Sequence, residues 1–288
     1  MTRLLLPALA ASVVAPVTTS ADLIAYDPFL SGGNRGAGEY TAGNDMRTMG
    51  AAALGWVGTA GIDGFGIAHA GSTGNFVANA LGEDSPAVTY EQGGRMQWLG
   101  VGNFPFNRNI TRQLNPTPSS NEWYISIMTN RLGWADSATN TFAVGGFTDA
   151  GGNGIQIGYD DTAGNNIPDL VLRTNGQNFV LDADAASSDN YLVIAKVTVD
   201  VAGNDLIEVF IDQNPAALGV ADVTIATEDI TSSLTPFTQS KYESPGQSGS
   251  VFWDEVILAT SVDALVPEPT SLALLGLGGL AAARRRRA

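Results

Sequence analysis

Residues able to carry out acid–base or nucleophilic chemistry are scarce in this chain. His69 is the single histidine and cysteine is absent, so a two-histidine metal site and thiol chemistry are excluded. A Ser-His-acid triad would have to use His69, yet the surrounding GIAHAGSTGN lacks the G-x-S-x-G nucleophile elbow. We therefore interpret His69 as a strand or loop residue with a hydrogen-bonding role.

Paired carboxylates are the second route to a catalytic site. Glycoside hydrolysis needs two of them facing one cleft, roughly 5–10 Å apart. The Glu-x-Asp-x-x-Glu string that retaining enzymes on β-sandwich scaffolds usually show is absent. Asp254 and Glu255 are the nearest pair, but adjacent strand residues point to opposite faces. We expect one of them to be buried or hydrogen-bonded and the other solvated, and we assign no catalytic residue.

The segment DDTAGNNIPD, residues 160–169, groups the hard oxygen donors that calcium takes. Asp161, Asn165 and Asp169 are the candidate ligands. The segment does not complete the D-x-[DN]-x-[DN]-G loop with a distal glutamate, and Asp and Asn also serve ordinary turn geometry. We expect a hairpin turn and no cofactor, with calcium as the alternative.

Tryptophan rings offer flat faces on which sugars stack, and the chain has five of them. Trp123 and Trp253 lie in apolar strand patterns and are expected in the core. Trp98 in GGRMQWLG and Trp134 in NRLGWADS lie beside turns and polar groups. These two are the candidate glycan-binding residues.

The pattern of apolar residues predicts an all-β body. In GIQIGYD, Ile155, Ile157 and Tyr159 alternate with smaller or polar residues, which indicates a strand with one buried face. Turn signals separate the segments, and no stretch keeps a helical period over three turns. The arrangement predicts one antiparallel β-sandwich or jelly roll over residues 22–264. Further strands are expected at EWYISIMTN, DLVLR, NFVLD, YLVIAKVTVD, LIEVFID and VFWDEVILAT.

The first 21 residues have the layout of a cleavable signal peptide. Arg3 precedes an apolar stretch from Leu4 to Val17, and small residues follow up to Ala21. Cleavage after Ala21 would leave the body outside the cytoplasm.

The other end, residues 265–288, combines three features in order. Pro267, Glu268 and Pro269 precede an uncharged run from Thr270 to Ala283. As a helix this run would be about 20 Å long, short of the ~30 Å hydrocarbon layer. Arginine side chains can snorkel to the headgroups from such a short helix, and a basic flank stays cytoplasmic. The run ends in Arg284, Arg285, Arg286 and Arg287.

This tail resembles the PEP-CTERM sorting signal of Gram-negative bacteria. The resemblance implies an exosortase-type membrane enzyme as partner, which would process the tail around Pro267–Pro269. It also implies export to the envelope or exopolysaccharide, with the tail anchored in the inner membrane transiently or permanently. An ordinary single-span anchor without processing is the alternative.

The net charge of the body limits the classes of molecule that it is expected to bind. Five of the 14 basic residues and one of the 29 acidic residues lie outside residues 22–266. The remaining nine basic and 28 acidic residues give a charge of about −19, which argues against binding nucleic acid or anionic lipid through a basic patch.

Two segments at the ends of the body resemble concanavalin A-like (LamG-type) domains. DLIAYDPF follows the signal peptide, and VFWDEVILATSVDAL precedes the tail. The resemblance implies that the first and last strands meet in one sheet. It is weak over the glycine-rich region 31–118, and a sandwich of another superfamily stays open.

Three functions follow from these features. The first is a noncatalytic envelope or matrix protein that binds a polysaccharide. The second is a purely structural surface component. The third is a glycan hydrolase or lyase that uses scattered carboxylates.

Overall fold

A computed structural model describes residues 23–27, 75–77, 95–100, 108–135, 142–161, 167–186, 189–244 and 248–265. The predicted signal peptide, His69, most of the glycine-rich region and the tail from Val266 onward lie outside these residues.

The described residues form fourteen β-strands in two antiparallel sheets. The large sheet has the strand order β12-β11-β10-β5-β14-β3-β2, and β1 pairs with β14. Its strands are β1 (Leu23–Asp27), β2 (Asn75–Val77), β3 (Arg95–Gly100), β5 (Glu122–Ala135), β10 (Tyr191–Thr198), β11 (Leu206–Ile211), β12 (Val223–Ile225) and β14 (Ser248–Ala259).

The small sheet has the order β4-β13-β6-β7-β8-β9. The predicted all-β, antiparallel β-sandwich is thereby confirmed, and every segment predicted to be a strand is one. The strands of the small sheet are β4 (Arg108–Gln113), β6 (Phe142–Thr148), β7 (Gly154–Asp160), β8 (Asp169–Thr174), β9 (Gln177–Asp182) and β13 (Gln239–Ser244).

The first and last strands lie side by side, as predicted. Leu23 pairs with Ala259 and Asp27 pairs with Val256. The two ends of the described body therefore leave the same sheet.

The core lies between the sheets. Trp123 and Trp253 are fully buried there, which confirms their predicted place. Trp253 Nε1 donates to the carbonyl oxygen of Ile157 at 3.1 Å, and this hydrogen bond connects the large sheet to β7 of the small sheet. The ring of Trp123 packs edge-on against Phe237, with centroids 5.5 Å apart.

The large sheet is apolar on its outer face as well. The continuous apolar run of β10 fits a strand buried on both sides. A C-terminal 3-10 helix (Val262–Leu265) lies against this face, and a short 3-10 helix (Pro215–Ala217) contacts the C-terminal one. We call the buried group beneath them the outer cluster; it contains Tyr124, Met128, Leu192, Ile194, Phe210, Phe252, Ile257, Ala259 and Leu265.

The expectation that one member of the Asp254–Glu255 pair is solvated is wrong. Both side chains are buried, at 0% and 1% exposure. The pairing of β14 with β5 shifts register between Asp254 and Ile257, and Glu255 has a φ of 49°, so strict strand alternation fails at this bulge. Tyr26 Oη donates to Glu255 Oε2 at 2.6 Å, which ties the bulge to β1.

Candidate functional site

Polar side chains gather on the outer face of the small sheet, opposite the core. The register places Lys241 opposite Gly146, Gly146 opposite Gln156, Gln156 opposite Arg173, and Arg173 opposite Asn178. Directly opposed residues of antiparallel strands carry their side chains on one face. We call this group the polar face; it comprises Lys241, Gln156, Arg173 and Asn178, together with the carboxylates Glu243 and Asp160.

The alternation of β7 explains why the polar residues face outward. Ile155, Ile157 and Tyr159 are fully buried in the core between the sheets. Because successive strand residues point to opposite faces, Gln156 and Asp160 lie on the other side.

A chain of contacts orders the polar face before any ligand arrives. Lys241 Nζ lies 2.7 Å from Glu243 Oε2, and Arg173 Nε lies 3.9 Å from Oε1 of the same carboxylate. Arg173 Nη1 donates to Asn178 Oδ1 at 3.1 Å. Asn178 Nδ2 in turn donates to Asp160 Oδ2. Charged groups that are already paired lose little conformational entropy when they bind a ligand.

An aromatic ring completes the support of Arg173. The guanidinium carbon lies 4.1 Å from the ring centroid of Phe142, which is within the range of a cation–π contact. Arg173 is thus held by Phe142 below and Asn178 at its side.

Gln156 lies in the middle of the polar face. Its side chain is only 4% exposed, and among the described residues its Nε2 has no hydrogen-bond partner. A buried donor left without a partner costs about 1–3 kcal/mol. Gly146, directly across on β6, cannot take a side chain, because a Cβ there would overlap the carbonyl of Ile155. Directly opposite Gln156, β6 therefore contributes backbone and no side chain.

Two carboxylates also oppose each other at one end of the polar face. Asp160 on β7 pairs with Asp169 on β8. Burial, opposed by the nearby charge of Arg173, raises the pKa of Asp160 to about 6. Asp169 is 3% exposed, and its Oδ1 accepts the backbone N–H of Asp184 at 2.9 Å. Both residues were expected in one hairpin turn as oxygen donors, but that they directly oppose each other follows from the strand register.

The calcium candidates are only partly described. Asp161 is half-buried and Asp169 is buried, while Asn165 lies outside the described residues. Within the described part of the chain, no group of three or more histidines, cysteines or carboxylates could hold a metal ion.

The candidate tryptophans lie in the other sheet. Trp98 on β3 pairs with Val251, and Trp134 on β5 pairs with Gly249, so both lie next to β14 in the large sheet. They are not part of the polar face. Their side chains are not among those that the structure describes.

The sequence contains a faint signal for the polar face. In GIQIGYD the polar residues Gln156 and Asp160 are separated by apolar ones, and in DLVLR the polar residues stand at the two ends. Lys241 lies on the same face as Gln156 and Arg173 because β13 pairs with β6, which is about a hundred residues away in the sequence. Local patterns do not reveal such a pairing.

The sorting residues Pro267, Glu268, Pro269 and Arg284–Arg287 lie outside the described residues, but they fall within a segment that matches a known family model. Residues 265–287 match the PEP-CTERM protein-sorting motif. The chain carries a PEP-CTERM sorting motif. This motif marks an exported protein that an exosortase processes. None of the helical segments in the described part of the chain has the length and hydropathy that a membrane crossing requires.

Comparisons with whole proteins indicate less about this chain than the sorting motif does. No curated protein matches the sequence. An endo-1,3-beta-glucanase from Streptomyces sioyaensis is 12% identical, with 85% of this chain and 98% of that chain covered and a TM-score of 0.45. A cellulose-induced protein, Cip1, is 13% identical, with 70% and 91% covered and a TM-score of 0.42. An endo-beta-1,4-glucuronan lyase from Trichoderma reesei is 11% identical, with 69% and 92% covered and a TM-score of 0.42. Likeness at this level carries no argument about activity.

Proposed function

We propose that this exported protein is an envelope or extracellular-matrix component whose β-sandwich binds polysaccharide through the polar face without cleaving it. The observation that carries the proposal is the ordered row of Lys241, Gln156, Arg173 and Asn178, which crosses five strands of the small sheet with Gly146 between Lys241 and Gln156.

The chemistry of the polar face suits sugar hydroxyls, each of which both donates and accepts a hydrogen bond. Lys241 and Arg173 donate, Glu243 accepts, and the Gln156 and Asn178 amides can do both. A hydroxyl oxygen at Nε2 of Gln156 would also satisfy the buried donor, so binding would relieve a cost that the free protein bears. Affinity in the millimolar-to-micromolar range is expected if each sugar makes only a few buried contacts.

Charge favours a neutral polysaccharide over an acidic one. On the polar face the two cations Lys241 and Arg173 are matched by Glu243 and Asp160, and the rest of the body is strongly negative. An acidic polymer would meet net repulsion. Binding should therefore depend little on salt, and the proposal requires no metal ion.

A hydrolase is the second candidate, and the opposed pair of Asp160 and Asp169 is the observation that favours it. Acid–base hydrolysis needs two facing carboxyl groups, one of them with a raised pKa, and burial raises the pKa of Asp160 to about 6. We rank it below binding because both carboxylates already accept hydrogen bonds, from Asn178 and from the Asp184 backbone.

For sorting, we propose that the exosortase acts on the tail after export and that the run Thr270–Ala283 holds the protein at the inner membrane until then. The terminal arginines would keep the end of the tail on the cytoplasmic side.

A glycan array with two matched variants tests the binding proposal. Lys241→Met and Lys196→Met each remove a mid-strand lysine that is paired with glutamate, one on each sheet: Lys241 Nζ is 2.7 Å from Glu243, and Lys196 Nζ is 3.2 Å from Glu208. We expect the wild type to bind a neutral polysaccharide, Lys241→Met to bind it about 5- to 10-fold more weakly, and Lys196→Met to be unchanged.

Three outcomes contradict the proposal. Equal polysaccharide binding by the two variants would mean that the binding site lies outside the polar face. Failure to bind any glycan would favour the structural alternative, and release of reducing ends or unsaturated products would favour an enzyme.

A further inference from the structure

The sorting motif begins at a residue that is buried in the folded body. Leu265 is the first residue of the matched motif and the last residue of the C-terminal 3-10 helix. Its side chain is 0% exposed and belongs to the outer cluster on the large sheet. The motif therefore has no free linker on its N-terminal side.

The C-terminal 3-10 helix is a small element that depends on this one side chain. It lies against β14, β5 and the short 3-10 helix. Val262 and Ala264 are only partly buried where they pack on the outer cluster, and Leu265 is the buried member of the helix. A four-residue helix has almost no stability of its own, so the contact of Leu265 holds it in place.

The distance from this contact to the motif is short. Only Val266 separates Leu265 from Pro267, and consecutive Cα atoms are 3.8 Å apart, so the Cα of Pro267 lies within roughly 8 Å of that of Leu265. Enzymes that act on a peptide segment bind it extended, over several residues. While Leu265 is docked, its own backbone is held on the body and cannot form part of such an extended segment.

We infer that Leu265 is a positioning residue for tail processing, and that the exosortase acts on the state in which the C-terminal 3-10 helix has undocked. This inference rests on the exosortase processing in the proposed function and is independent of polysaccharide binding. Burying one leucine favours the docked state by about 10- to 150-fold. When opening and closing are fast, the rate of processing follows the small open population.

A spacer tests the inference without altering the docked residue. Four Gly-Ser residues inserted between Leu265 and Val266 supply an extended stretch while Leu265 stays buried. In pulse-chase labelling of the full-length chain in its native host, we expect the spacer to speed processing about tenfold or more, with the Tm of the body unchanged. The matched control places the same four residues between Gly203 and Asn204, in the turn between β10 and β11, and should leave the rate unchanged.

A substitution gives a second test. Leu265→Ala should also speed processing, because it weakens docking. If the spacer chain is processed at the wild-type rate or more slowly, the inference about Leu265 is contradicted, while exosortase processing itself still stands. Absence of processing in every chain, including the wild type, would contradict exosortase processing itself and the inference with it.

Discussion

At the residue scale, Gln156 is the position at which a substitution should weaken binding without lowering stability. Leucine has a similar volume and removes the buried donor that has no partner among the described residues. We therefore expect Gln156→Leu to keep or raise the Tm while weakening polysaccharide binding about tenfold. Thermal melts and binding isotherms on the same preparations check this. A lower Tm with unchanged binding would show that the amide serves the fold.

Asp160 should make stability depend on pH. Its folded pKa of about 6 lies above the ordinary value near 3.9, so the carboxyl stabilises the fold when protonated, and this contribution is lost as pH rises from about 4 through 6. Asp160→Asn keeps an oxygen to accept from Asn178. It should raise the free energy of unfolding by about 1–2 kcal/mol at pH 8 and leave it unchanged near pH 4.

Denaturant titrations across this pH range test that prediction, with the exposed Asp229→Asn as control. The control should show no such pH-dependent gain. A gain from Asp160→Asn that is as large at pH 4 as at pH 8 would contradict the assigned cause.

The burial of a single residue was predictable where the sequence pattern of its own strand determines it. Trp123 and Trp253 were predicted in the core because each lies in an apolar strand segment, and both are buried there. The burial of both Asp254 and Glu255 was not predictable, since it depends on a bulge in β14. Gln156 could be assigned to an outer face, but its neighbours Arg173 and Lys241 come from other strands.

At the element scale, β6 must approach β13 and β14 closely. A Cβ on Gly145 would overlap the ring of Tyr242 and lie 3.1 Å from Trp253 Nε1. Gly145→Ala should therefore lower the free energy of unfolding by about 1–3 kcal/mol. Gly219→Ala is the control, since its nearest atom would be Gln213 Oε1 at 3.4 Å, and it should change stability by less than about 0.5 kcal/mol. Equal melts for both variants would contradict this account of the packing.

Strands were easier to predict than their partners. Asn175-Gly176, between DLVLR and NFVLD, has the composition of a tight turn, and it does join β8 to β9 with both residues at positive φ. The meeting of β1 with β14 was expected only from a family resemblance. The pairing of β13 with β6 and β4 was not expected, since sequence distance hides it.

At the scale of the whole molecule, the tail should act as a unit. Changing Pro267–Pro269 to alanines should block processing and leave export intact. Neutral replacements at Arg284–Arg287 should weaken retention in the inner membrane, because the positive flank is lost. Fractionation and mass spectrometry of the protein from its host decide both. An intact tail on the wild-type protein would contradict processing.

The central claim is that the small sheet, through its polar face, is the ligand surface. Titrating the protein with the neutral polysaccharide that it binds and following side-chain N–H signals by NMR tests it most directly. We predict the largest shifts at the amides of Gln156 and Asn178 and at Nε–H of Arg173. Shifts centred on the indole N–H groups of Trp98 and Trp134, with the polar face unchanged, would contradict the account.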